Sequence, residues 1–294
     1  ALRDSLGAIQ AGAQVLYRPL PMRLGTMAYL PFGPLMHDPA HLPALMHAVR
    51  DASRPYRAAF VKLEPGFVPL ADFAALGVQV SPQTVQPPNT ILMDISGSDE
   101  TLFARMNEGT RRKIRTGAKK GVTYYAAPRD ALPKFTAMMQ TTGARNRFGV
   151  HDPAYYEQAY DLFVPHHAAL FMAEHEGDTL AGVFVFAVGT MAYYLYGASS
   201  NEKRNLMATY GVQWAAIQWA KARGCTVYDL WGIPDAPPET LEAEFEQRSD
   251  GLWGVYGFKR GWGGTVTRTV GALDWPINPL LYRAYRLALK RSGA

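Results

Sequence analysis

The sequence predicts an α/β or α+β fold built as two copies of one unit in tandem. Three observations carry this. Segments of strand and helix character alternate along the chain. A strand–loop–helix–strand pattern occurs twice: MAYLPFGP, a helix and YRAAFVKL in the first half, then MAYYLYGA, a helix and TVYDLWG in the second. The 294 residues, 48% hydrophobic and 19% charged, are enough for two ordinary domains with buried cores.

Each element has a local reason. GAQVLYRPLP and TMAYLPFGPL read as strands, HLPALMHAVRDAS as a helix, and YRAAFVKLEP and TILMDIS as further strands. Ser98 ahead of Asp99 and Glu100 is a helix N-terminal signature. ALPKFTAMMQTTGARNRFG and DPAYYEQAYDLFVPH read as two helices. The segment from His167 to Ser199 reads as three antiparallel strands, with turns at Glu176-Gly177-Asp178 and Gly189-Thr190. YGVQWAAIQWAKARG is a long helix stopped by Gly224, and CTVYDLWG is the next strand. PLLYRAYRLALKR is an amphipathic helix with a basic face, expected to pack back on the first half. The expected division is a first domain of residues 1–127 completed by 272–294, and a second of 128–271.

Residues 180–198 contain no charge and are long enough to span a membrane. However, the Gly189-Thr190 break and the Val, Phe and Tyr content favour two buried strands, so no transmembrane segment is expected. The single cysteine, Cys225, excludes an intrachain disulfide. No Cys/His cluster has zinc spacing, and the side chains of adjacent His166 and His167 diverge, so no metal site is expected. No signal peptide opens the chain, which points to a cytoplasmic location. The net charge of +5 and pI of about 9.2 suit an anionic substrate, nucleic acid or anionic membrane surface, and also many ordinary proteins.

Residues 111–122 read RRKIRTGAKKGV, without an acidic residue. On a helix, Arg111, Arg112, Arg115 and Lys119 share about a 100° arc, beside a small apolar face of Ile114, Gly117 and Ala118. The stretch is either a solvated flank or a phosphate-binding surface, since Arg presents a planar fork to phosphate oxygens. No base-reading motif accompanies it, so a nucleic acid would be held by backbone and shape.

In acetyl-CoA-dependent N-acyltransferases, an R/Q-x-x-G-x-G/A loop opens a helix and grips pyrophosphate with backbone N–H groups. Here Arg204 is followed by Asn205, Leu206, Met207, Ala208 and Thr209, so both glycines are missing. That favours an acyl donor other than CoA.

Four motifs then come in order: R-x-x-I-R-x-x-A-K-K-G-V (Arg111 to Val122), the Y-x-x-x-x-W-A-x-x-W-A-K helix, YDLWGIP (Tyr228 to Pro234) and GLWGVYGFKRGWGG (Gly251 to Gly264). Over roughly residues 20–290 the chain resembles the FemABX peptidyltransferases, and specifically the compact members without a coiled-coil arm. The resemblance implies two tandem N-acyltransferase-like (GNAT-like) domains with mixed sheets. It implies no cofactor, aminoacyl-tRNA as donor, and the stem-peptide amine of UDP-MurNAc-pentapeptide or lipid II as acceptor. Contact with the inner face of the membrane would be peripheral. Family members carry an N-terminal strand and helices ahead of the segment that opens this chain, and part of the nucleotide-sugar site with them; the expectation is that this part is absent here.

The reaction is aminolysis of an ester, in which negative charge develops on the carbonyl oxygen and a positioned cation is worth most. Lys259 matches the family lysine with that role; the competing reading is a surface lysine among structural aromatics. Phe258 is expected to fix its backbone. Arg204 matches a family arginine near substrate phosphates, with Lys203 as the alternative. Tyr210 is expected to hydrogen-bond the substrate or to be a helix-start aromatic in the core, and Tyr228, ahead of a glycine turn at a strand end, is a further substrate-binding candidate. Asp94 matches an acidic position facing the cleft, where it would accept a proton or orient the amine; otherwise it caps a turn. Asp229 is expected to hold a turn. Arg111, Arg112, Arg115 and Lys119 are the expected tRNA contacts. Two rivals remain: a CoA-dependent N-acyltransferase of small amines, and a non-catalytic tRNA- or envelope-associated binding protein.

Overall fold

The structure, a computed structural model, describes residues 1–68, 70–146 and 149–292. The chain divides into two compact units: residues 1–88 with 268–294, and residues 89–267. The first unit is discontinuous and includes the last helix. The division expected at 127/128 lies elsewhere, because strand Asn89–Asp94 pairs with Val227–Asp229, and helix Glu108–Lys119 packs on helix Ala208–Ala222.

The first unit holds a five-stranded sheet in the order Leu16–Pro19, Thr26–Pro31, Ala58–Glu64, Leu273–Pro276 and Gln79–Val80. One pair is parallel, Thr26–Pro31 with Ala58–Glu64, and helix Leu42–Ser53 makes the crossover between them. The two-residue period sorts the side chains. Ala28 and Leu30 join the core with Leu42, Met46 and Val49, whereas Met27 and Tyr29 join Tyr282 and Tyr285 of helix Pro279–Ser292. The last helix therefore packs back on the first half, as its apolar stripe predicts. A smaller sheet of Leu2–Arg3, Ile9–Gly12 and Leu35–Met36 completes the unit.

The second unit holds seven strands in the order Thr265–Arg268, Asn89–Asp94, Val227–Asp229, Met191–Ser199, Asp178–Val188, Ala168–His175 and Thr123–Ala126. Met191–Ser199 and Val227–Asp229 run parallel, joined through helix Ala208–Ala222. This is the crossover of the first unit repeated, so the sequence repeat is a structural repeat. The uncharged stretch 180–198 is two antiparallel strands turning at Gly189, and among the described residues no helix is long and apolar enough to cross a membrane. Strand Ala168–His175 feeds both faces: Ala169, Phe171 and Ala173 lie in one core, Ala168, Leu170 and Met172 in the other. Helices Leu132–Asn146 and Pro153–Phe163 contribute to the latter. The first was expected to continue over Arg147 and Phe148, which lie outside the described residues. The longest helices have 15 residues each, so no coiled-coil arm is present among the described residues.

Local signals hold where the sequence placed them. The Ser98 hydroxyl accepts from the Thr101 N–H at the start of helix Asp99–Arg105. Gly224, at φ +82°, follows the last turn of helix Ala208–Ala222. Gly117 and Gly211 permit helices Glu108–Lys119 and Ala208–Ala222 to close on Tyr124. A Cβ at either would lie 2.0 Å from that side chain. The basic helix thus approaches another helix and the Tyr124 side chain of strand Thr123–Ala126, and Ala118 is exposed rather than part of the apolar face.

Candidate active site

The parallel pair creates the site. Its register runs Met191↔Val227, Ala192↔Tyr228, Tyr193↔Asp229, and there strand Val227–Asp229 ends while its neighbour continues to Ser199. A bulge at this level, between the pairs Phe184↔Tyr196 and Val185↔Tyr194, bends the longer strand. The chain turns away through Trp231, whose φ of +62° is left-handed for a non-glycine residue. Asp229 holds that turn: its carboxylate accepts from the Trp231 N–H at 2.7 Å and from the Thr90 hydroxyl. Burial pushes its carboxyl above the ordinary range, against these bonds.

Lys259, the last residue of helix Trp253–Lys259, reaches into this split. It is 6% exposed. Its Nζ donates to the Gly232 carbonyl at 2.7 Å and the Trp231 carbonyl at 3.3 Å, and lies 5.6 Å from the centre of the Tyr194 ring. Burial lowers its pKa to about 7, opposed by the Asp229 charge. An ammonium has three donors, so two carbonyls leave one for a ligand. A cavity of about 240 Å³ adjoins the lysine, walled by Tyr194, Tyr196, Gly197, Trp231 and Gly232. The reading of Lys259 as a surface lysine is therefore wrong.

A wall of aromatic rings separates this cavity from a second cleft. Phe258 packs edge-on to Tyr210 at 4.9 Å and contacts Trp262 and Tyr194. Behind the wall, Lys113, Lys203, Arg204 and Tyr210 line a cleft of about 430 Å³. Lys113 donates to the Tyr210 hydroxyl at 3.1 Å. Lys203 is held by Glu176 and Asp178 at 3.0 and 2.9 Å. Arg204 has no carboxylate partner among the described residues, which selects it over Lys203 as the cation open to an anion. The Arg145 guanidinium, bonded to the Ser199 hydroxyl and the Asn201 side chain, is lowered by burial and by the nearby charge of Arg204. Arg145 and Arg204 thus lie near enough for their charges to repel, and Glu202 lines the same cleft as Arg204.

Met207 stands where the CoA loop pattern, counted from Arg204, has its first glycine. It keeps the left-handed turn, φ +56°, but its side chain lines the cleft. Lys120 donates to the Asn205 carbonyl at 3.4 Å.

Two expectations fail on geometry. Asp94 is exposed, bonded to the Ser96 hydroxyl and N–H and to Arg105 at 3.0 Å, which lowers its carboxyl to about 2. Strands Asn89–Asp94 and Val227–Asp229 are antiparallel and Asp94 pairs with Val227, so it lies at the end of that strand remote from Trp231 and Lys259. It caps a turn. Tyr228 is fully buried, its hydroxyl taken by Gln213 at 2.9 Å, and is a core residue. The basic helix divides. Arg111 bonds the carbonyls of Phe103 and Met106, whereas Arg112, Arg115 and Lys119 line an outward cleft of about 400 Å³ with Arg111 and Glu108. Sequence reasoning missed Lys113, Arg145, Tyr194 and the Trp231-Gly232 carbonyls. YDLWGIP signalled the last pair; nothing local signalled Arg145.

The chain is built of two N-acyltransferase-like units, the second carrying a buried lysine in a strand split. The chain belongs to the FemAB family, whose pattern matches residues 70–180 and 174–290. It is 24% identical, over 359 aligned positions, to a lipid II:glycine glycyltransferase of Staphylococcus aureus (strain MRSA252), covering 94% of this chain and 83% of that protein. Among solved structures, FemX superposes with a TM-score of 0.83 at 22% identity over 96% of this chain and 88% of FemX. A tandem GNAT protein from the clavulanic acid biosynthesis pathway gives 0.56 at 14% identity, covering 94% and 82%.

Proposed function

We propose that this chain transfers an amino acid from aminoacyl-tRNA to the stem-peptide amine of a peptidoglycan precursor, lipid II or UDP-MurNAc-pentapeptide. The observation that carries the reading is Lys259: a lysine buried in a strand split, lowered to about 7, with a cavity beside it. The neutral acceptor amine attacks the ester carbonyl. The Lys259 ammonium donates its remaining N–H to the oxyanion as charge develops. The ester C–O bond breaks, and the proton lost by the amine ends on the ribose hydroxyl. The carbonyls of Trp231 and Gly232 hold the ammonium in place, so no reorganisation accompanies the step. Arg204, with Arg145 behind it, receives substrate phosphate, and Arg112, Arg115 and Lys119 receive tRNA backbone. The family relative's name supports lipid II as the first acceptor to try.

The test is transfer from a pool of radiolabelled aminoacyl-tRNAs to lipid II and, separately, to UDP-MurNAc-pentapeptide. Label moving to either acceptor, and lost in Lys259→Met, supports the reading and names the amino acid. No transfer, with acetylation of amines by acyl-CoA instead, replaces it with the CoA-dependent alternative. Salt-sensitive tRNA binding without any transfer replaces it with a binding role.

A further inference from the structure

We infer that the outer face of the last helix, Pro279–Ser292, docks on an anionic lipid surface. One face of the helix is occupied: Tyr282 and Tyr285 are buried against Phe60 of the sheet. At 100° per residue, Leu280, Arg283, Leu287, Lys290 and Arg291 share an arc of about 100° on the opposite face. Leu280 is 80% exposed and Leu287 54%. The helix carries four cations and no acid, and none of the four forms an ion pair among the described residues. Arg283 and Arg286 also line a cleft of about 310 Å³ with Gln79 and Tyr282, with room for a phosphate headgroup.

The pattern continues into the neighbouring loop. Met22 is 70% exposed beside exposed Arg23, both at positive φ, and Gly25 of that loop faces Leu281. Cations alone fit any polyanion. Exposed leucines set among cations select a surface with an apolar layer beneath its charge, because an RNA backbone offers leucine nothing to bury in. The inference deepens the proposed reading, since a lipid-linked acceptor presents its stem peptide at such a surface. The docking itself does not require that the acceptor be lipid II.

The experiment is co-sedimentation of the full chain with vesicles of phosphatidylcholine alone and with about 30% phosphatidylglycerol. Binding to the anionic vesicles is expected to be on the order of 10-fold or more tighter, and to weaken with salt. Leu280→Glu/Leu287→Glu and, separately, Arg283→Gln/Lys290→Gln are each expected to lower it on the order of 10-fold. All positions are exposed, and circular dichroism checks that the fold is kept. Equal binding to both vesicle types, or no loss in the leucine variant, overturns the inference. So does a dimer in solution that the leucine variant dissociates, or tRNA binding lost only in the cation variant. Transfer to soluble UDP-MurNAc-pentapeptide, unchanged in both variants, separates failure of the docking surface from failure of the proposed reaction.

Discussion

Replacing Lys259 by Met removes the charge and keeps the packing, and its effect on stability is calculable. The lysine falls from 10.5 in the unfolded chain to about 7 in the fold. Between those values the unfolded state binds the extra proton, so stability rises with pH across this window. At about 1.4 kcal/mol per pH unit, burying Lys259 costs the fold about 5 kcal/mol at pH 6 and about 2 kcal/mol at pH 9. The methionine variant would carry no such cost. It would lose two hydrogen bonds and leave two carbonyls unpaired, roughly 2–5 kcal/mol that does not vary with pH. The stability difference between variant and wild type should therefore shift by about 3 kcal/mol from pH 6 to pH 9, in favour of the wild type as pH rises. Urea unfolding followed by tryptophan fluorescence at pH 6, 7, 8 and 9 measures it. A difference constant to about 0.5 kcal/mol would mean that Lys259 titrates like an exposed lysine, and the buried-cation argument would fall.

Three further outcomes are expected. Asp94→Asn should leave transfer within roughly threefold of wild type, since the group is an exposed ion pair at the remote strand end; a loss of several hundredfold would restore it as the acceptor base. The triple variant Arg112→Ala/Arg115→Ala/Lys119→Ala should weaken tRNA binding and lower the slope of log K against log salt by about 2, read by filter binding; an unchanged slope would return the helix to a solvated flank. Gly117→Val should destabilise the second unit by about 1–3 kcal/mol in the same unfolding assay, because its Cβ meets Tyr124 at 2.0 Å and the Leu206 carbonyl at 3.2 Å. No loss there would mean that the two helices separate freely.

What the sequence made legible was whatever is set by neighbours along the chain. The Ser98 cap, the Gly224 stop and the Gly189 turn each act within one turn of backbone, and the repeat exposed the two crossovers. The domain boundary was illegible because strand Asn89–Asp94 belongs by sequence to the first half and by pairing to the second. Tyr228 and Asp94 both sit on strands beside the site, and only register decides which faces what: Tyr228 points into the core and Asp94 to the far end. Arg145 meets Arg204 across the fold, at a sequence distance no local pattern spans. Lys259 could be named from its motif, but its burial and its two carbonyl partners come from the turn at Trp231.

In the proposed reaction the Lys259 cation stabilises charge in the transition state. Single-turnover transfer from bound aminoacyl-tRNA, wild type against Lys259→Met, tests it most directly. The rate is expected to fall by about 10²–10³ with acceptor and tRNA affinities unchanged, the loss typical of one oxyanion donor. A rate within threefold of wild type would contradict it.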